Sequence, residues 1–146
     1  MHYEKQWELL FYFALSHLGA KDLNKAQKYI NEIVLIGKIN YQSIIYKAAM
    51  LLNIIIHYEW GNLEYLDYEI RSYKRSIQLK GKLLRTEKII FKVVKFQPSR
   101  NNLKKNKLFW ANMASVISGI EEDKYETQLL KYFDFIGWIK NKLEKQ

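Results

Sequence analysis

The sequence predicts an all-α protein of stacked antiparallel helical hairpins, about seven helices in all, on the evidence of three features. The first is an internal echo at a spacing of 40 residues. Laid under Phe11 to Tyr29, the stretch Leu51 to Glu69 puts His57 under His17, Asn62 under Asp22 and Leu63 under Leu23. One step further, Ile70 falls under Ile30. A fixed period in this range is the signature of a solenoid, in which each supersecondary unit buries its apolar face on the next. The second is scarce punctuation: Pro98 is the one proline in 146 residues and there are six glycines, too few for the turns of a many-stranded fold. The third is that apolar residues recur three and four apart along most of the chain. The length and the 49% apolar content suit a single helical-repeat domain over residues 1–146.

The first hairpin is expected over about 3–36. Its first helix carries a stripe of Trp7, Phe11, Ala14 and Leu18, and its second begins at an Asp22 N-cap with Leu23, Ala26, Ile30 and Ile33 on one face. Gly37 closes it. The second hairpin is expected over about 41–80. Its first helix is apolar nearly all round (Ile44, Ile45, Ala48, Leu51, Leu52, Ile54, Ile55), which marks a buried helix. Its second starts after Asn62 and alternates Leu63, Leu66, Ile70, Tyr73 and Ile77 until Gly81, with Asp67 and Arg71 placed to pair on the opposite side. A helix at 84–96 ends before Pro98, and Pro98 to Asn102 reads as a linker. Trp110, Met113, Ile117 and Ile120 mark a helix at 103–120. Tyr125, Leu129, Tyr132, Ile136, Ile139 and Leu143 mark a last one at 124–144, with the acids Glu121, Glu122 and Asp123 at its positive end.

The first hairpin, with Phe13-Ala14 and His17, then Asp22-Leu23-Asn24-Lys25-Ala26 and Tyr29-Ile30, resembles a tetratricopeptide-type repeat. Ala14 and Ala26 stand where that family packs its paired helices closely. The second copy departs from the pattern, with Ile54, Leu66 and Tyr73 in place of small residues. Its period of 40 exceeds the family's 34, a difference the turn Gly37 to Asn40 absorbs. Glu59 to Leu66, leading into Arg71-Ser72-Tyr73-Lys74-Arg75, is also similar to the C-terminal part of larger uncharacterised bacterial tetratricopeptide-like proteins. The resemblance implies a stack of hairpins that binds a peptide or partner protein, chiefly through the first helix of each pair. Phe11, Leu15, Leu51, Ile55 and Tyr58 are then the candidate partner groove. The Lys, Arg and Asn clamp with which some members grip a peptide carboxylate is not on these faces.

Charge supplies a second candidate surface. From Arg71 to Lys107 thirteen basic residues accompany one acid, Glu87, so this segment more than accounts for the net charge of +9. Arg85, Lys88, Lys92 and Lys95 recur at three, four and three, drawing a basic stripe along one helix face. Arg71, Lys74 and Arg75 do the same on the helix before it. Beyond Asp67, placed to pair with Arg71, no nearby acid in the sequence neutralises either stripe. These seven residues are the candidate patch for nucleic acid or another polyanion, set against the plainer reading of solvated helix faces. Of the many aromatic residues, most lie on apolar faces and read as core; Tyr68 and Trp138 are the ones to inspect for exposure.

Chemistry finds little footing in the sequence. There is no cysteine, which excludes disulfides and thiolate sites and suits a reducing, cytoplasmic setting. His17 and His57 sit at equivalent repeat positions, which repeated packing explains without a metal. No phosphate loop or nucleophile motif occurs, so no catalytic, cofactor or metal residue is expected, and no enzyme. The apolar run Leu9 to Leu15 lacks a basic leader, since Glu4 and Glu8 stand there, and no segment is long enough to insert in a membrane. The expected function is a protein-interaction module. The alternatives are a polyanion-binding protein acting through residues 71–107 and a self-associating subunit, a homodimer covering its apolar first helices.

Overall fold

A computed structural model of the chain describes residues 2–36, 43–78, 83–97 and 100–144. Among them lie eight helices and no strand: α1 His2–Gly19, α2 Leu23–Ile36, α3 Ile44–Trp60, α4 Leu63–Gln78, α5 Arg85–Lys95, α6 Leu103–Glu121, α7 Lys124–Leu130 and α8 Phe135–Glu144. The expected stops at Gly37, Gly81 and Pro98 fall outside the described residues. By its internal contacts the chain divides into two compact units, Met1–Lys82 and Leu83–Gln146.

In the first unit α1 packs on α2, α2 on α3, α3 on α4, and α1 also on α3. That order of contact is repeat-like: each hairpin closes on itself and its helices meet the next. The reason is the apolar stripe of each helix. Trp7, Phe11 and Ala14 of α1 are buried, as are Ala26, Ile30 and Ile33 of α2 and Leu66, Ile70 and Tyr73 of α4. In α3 every residue from Ile45 to His57 except Lys47 is buried, as a helix without a polar face requires. Each such aliphatic side chain contributes about 1.5–3 kcal/mol by leaving water.

The 40-residue echo is also an echo of backbone. Lys21 ends the first turn at φ 61° and Gly61 ends the second at φ 80°, and these positions coincide in the repeat. Around each the same bonds form. The amide of Asp22 donates to the His17 carbonyl at 2.8 Å and that of Lys21 to Leu18 at 3.0 Å, while Asn62 donates to His57 at 3.0 Å and Gly61 to Tyr58 at 3.1 Å. This is the glycine-type helix C-cap with its paired return bonds. Glycine adopts the left-handed backbone freely, whereas Lys21 does so at a cost of about 1 kcal/mol. Asp22 then caps α2, its Oδ1 accepting from the Lys25 amide at 3.2 Å.

In the second unit α5 packs on α6 and α8, and α6 also on α7 and α8. The core draws Ile89, Ile90, Phe91, Val93 and Val94 from α5, Met113, Ile117 and Ile120 from α6, Leu129 from α7, and Phe135, Ile136 and Ile139 from α8. The single last helix expected over 124–144 is two. Its apolar spacing runs unbroken, but Asp134 starts a new helix, its Oδ1 accepting from the Gly137 amide at 2.8 Å. The stripe is also displaced: Tyr125, placed in the core by spacing, is exposed, and Glu126 is buried beside it.

Glu126 is buried because α5 needs it. The residue before α5, Leu84, has no side-chain acceptor, so Glu87 supplies half of a cap by accepting the Leu84 amide at 2.8 Å. The other half comes from α7. The Glu126 carboxylate accepts from the amides of Arg85 at 2.6 Å and Thr86 at 3.2 Å, and from the Thr86 hydroxyl at 3.1 Å. Two otherwise unpaired amides at the positive end of a helix thus meet one anionic group.

Candidate interaction surfaces

The groove residues expected from the repeat are divided by the structure. Phe11, Leu51 and Ile55 are each 0% exposed, while Leu15 and Tyr58 are half-buried. Three of the five therefore present no surface to a partner. Neighbouring helices of the same unit fill the space: α3 meets α1, α2 and α4, and its all-apolar circumference is what draws them in.

The basic residues are largely at the surface. Arg71, Arg75, Arg85, Lys88, Lys92 and Lys95 are exposed and Lys74 is half-buried. On α4, Tyr68, Arg71, Lys74 and Arg75 line an open recess of about 440 Å³, and Tyr68 is 60% exposed. Trp138 is half-buried with the Lys142 ammonium 5.3 Å from its ring centroid. On α5 the exposed residues are Arg85, Lys88, Lys92 and Lys95, so its whole solvent face is cationic. The two sets belong to different units.

Neither stripe is free of acids. Arg71 pairs with Asp67 at 2.9 Å, the (i, i+4) pair expected on α4. Arg85 pairs with Asp123 at 2.8 Å and lies 3.8 Å from Glu126, and its guanidinium donates to the Gly119 carbonyl at 3.4 Å. A Cβ on Gly119 would stand 2.9 Å from that guanidinium, close enough that the end of the Arg85 side chain would have to shift. The acids that order Arg85 are distant in sequence and arrive when the α6–α7 turn folds back on the start of α5. Asp123 is held below the usual carboxylate range, first by the Tyr125 amide and then by Arg85.

The paired histidines both pack against tyrosine. His17 stacks on Tyr29 at 5.5 Å, and His57 lies 4.0 Å from the Tyr65 ring and 5.9 Å from Trp60. Both ring nitrogens of His57 and Oδ1 of Asn53 are buried without a hydrogen-bond partner among the described residues. Burial lowers the His57 pKa from 6.5 and, more than any other influence, raises that of Tyr65. The folded chain therefore binds the His57 proton more weakly than the unfolded chain does. The resulting stability is complete above about pH 6.5 and is lost as pH falls from there toward the lowered value. Each tenfold weakening of proton affinity adds about 1.4 kcal/mol to that loss. Urea midpoints measured from about pH 7.5 to about pH 5 should fall in the native chain and fall less in His57→Phe, which keeps the ring stack. Equal slopes in the two chains would remove His57 as the cause. Among the described residues no group of three His, Cys, Asp or Glu is placed to hold a metal ion, and no helix is long and apolar enough to cross a membrane.

Two sets of apolar side chains at the surface escaped the reading of stripes. On α1, Leu9 is 55%, Tyr12 57% and Phe13 43% exposed, on the side away from Trp7, Phe11 and Ala14. On α6, Leu103 and Leu108 are 68% and 63% exposed, off the stripe of Met113, Ile117 and Ile120. The signal was present in both cases: a large apolar residue that does not fit the buried face of its own helix. No protein-family model, no curated protein and no solved structure matches the chain.

Proposed function

We propose that the chain is a non-catalytic protein-interaction module of tetratricopeptide-like type whose contact surface is the outer face of α1. The observation that carries this reading is the run Leu9, Tyr12 and Phe13, spaced three and one apart on the exposed side of a helix whose other side is anchored in the core. The hairpin packing and the matched C-caps of the first unit support the repeat-like scaffold beneath it. With Phe11, Leu51 and Ile55 buried, an apolar stripe on a rigid helix is the surface that a partner's amphipathic helix or apolar peptide fits.

A photo-crosslinking residue at Tyr12 tests it. The expected result is one discrete crosslinked partner, with a yield that drops about tenfold in a Leu9→Ser, Phe13→Ser background of unchanged helicity, the scale set by losing apolar anchors from an interface. A product of twice 17.6 kDa would assign the face to self-association instead. Absence of any specific product would sink the reading.

A further inference from the structure

We infer that the start of α6 is a docking surface for an anionic lipid bilayer, a property of the second unit that does not rest on the reading of α1. From Lys88 through Ile120 the sequence holds seven basic residues, Lys88 included, and no acid. Arg100, Lys104, Lys105 and Lys107 of that run are all exposed, within one short stretch that also carries Leu103 and Leu108. These two leucines are the most exposed large apolar side chains described, at 68% and 63%. Helical spacing puts Leu103, Lys104, Lys107 and Leu108 on one side, so the leucines stand among the cations.

The segment is held in that orientation from behind. The Phe96 ring, just after α5, stacks on Phe109 at 3.9 Å and meets Trp110 at 5.5 Å, while Met113, Ile117 and Ile120 fix the rest of the helix in the core. Asn102 caps the start, its Oδ1 accepting from the Lys105 amide at 3.1 Å. The leucines therefore have no route inward without unpacking this end of α6.

Charge and apolarity together select the occupant. A symmetric contact with a second copy of the chain is disfavoured, because this face would then meet its own positive charge. A nucleic-acid backbone would satisfy the cations but leave both leucines in water, and the rings at this end of α6, Phe109 and Trp110, are half-buried and stacked with Phe96 and each other, not presented to a base. A partner helix would need apolar side chains over several turns, whereas the exposed face beyond Leu108 continues as Ala111, Asn112, Ser115 and Ser118. A bilayer needs only a short, shallow contact: leucines below the headgroups and lysine and arginine at their level, each cation near an anionic surface contributing measurably to binding.

The test is co-flotation of the full chain with vesicles of phosphatidylcholine alone or mixed with phosphatidylserine. Binding is expected on the mixed vesicles and not on phosphatidylcholine, and should weaken as salt is added. Lys104→Gln with Lys107→Gln should weaken it about thirtyfold, and Leu103→Ser with Leu108→Ser about tenfold or more, with helicity unchanged because all four side chains are exposed. Failure to bind mixed vesicles would overturn the inference. So would binding that survives the leucine changes in full, since that pattern marks a charge-only surface for nucleic acid or an acidic protein.

Discussion

Replacing Glu126 with alanine is expected to destabilise the second unit by about 3 kcal/mol, more than most single changes to a charged residue. The carboxylate accepts three hydrogen bonds, from the amides of Arg85 and Thr86 and from the Thr86 hydroxyl, and is buried with Thr86. Truncation leaves these donors facing the small side chain of alanine. Each buried donor left unpaired costs about 1–3 kcal/mol, and loss of an N-terminal cap typically costs about 1 kcal/mol. Glu126→Gln keeps an acceptor and the shape but loses the charge at the helix N-terminus, so it should cost about 1 kcal/mol. Urea denaturation followed by far-UV circular dichroism gives the size of the effect. Amide hydrogen exchange gives its place: protection should fall first along α5 and least in α3. A Glu126→Ala chain within about 0.5 kcal/mol of the native one would show that water replaces the carboxylate without loss.

Glu126 also shows which parts of the fold the sequence carries openly. The first unit is legible because its information is local. Apolar stripes fix the four helices, a 40-residue echo fixes the hairpins, and the turns repeat to the level of individual carbonyls at His17 and His57. In the second unit the deciding contacts are between residues far apart in the chain. Leu84 is a poor start for a helix, and nothing local says that Glu126, some forty positions later, completes it. The same contact draws Glu126 inward and turns Tyr125 outward against the apolar spacing. Asp134 interrupts a periodic stripe that gives no other sign of a break.

The surfaces follow the same logic. Lysine positions on α5 were readable, because exposed cations on one helix face need only periodicity to place them. The neutralisation of Arg85 was not, since it depends on the α6–α7 turn folding back. The filling of the expected groove is a matter of composition. A helix apolar on all sides, such as α3, leaves no side for a ligand once three neighbours have covered it. Leu9, Tyr12 and Phe13 on α1, and Leu103 and Leu108 on α6, are among the large apolar side chains that remain exposed when each helix's buried stripe is subtracted.

Truncating Leu51 separates the two fates that the repeat allows for α3. Were Leu51 part of an open partner groove, Leu51→Ala would remove contact area with the ligand and leave the folded chain nearly untouched, within about 0.5 kcal/mol. The side chain is instead 0% exposed in a helix that packs on α1, α2 and α4. Its loss removes buried methyl groups and opens a cavity that close packing cannot fully close, so a cost of about 3 kcal/mol is expected. Ile55→Ala should behave likewise, because Ile55 is equally buried one turn further along the same helix. Leu15→Ala is the comparison: half-buried on α1, it should cost about half as much. Denaturation midpoints of the three variants rank them directly. At temperatures where each stays folded, crosslinking through Tyr12 should be unchanged in Leu51→Ala, because the proposed contact face is on the opposite side of α1 from the core that Leu51 helps to fill. A normal midpoint with lost crosslinking would reverse the assignment and return α3 to the role that the repeat family implies.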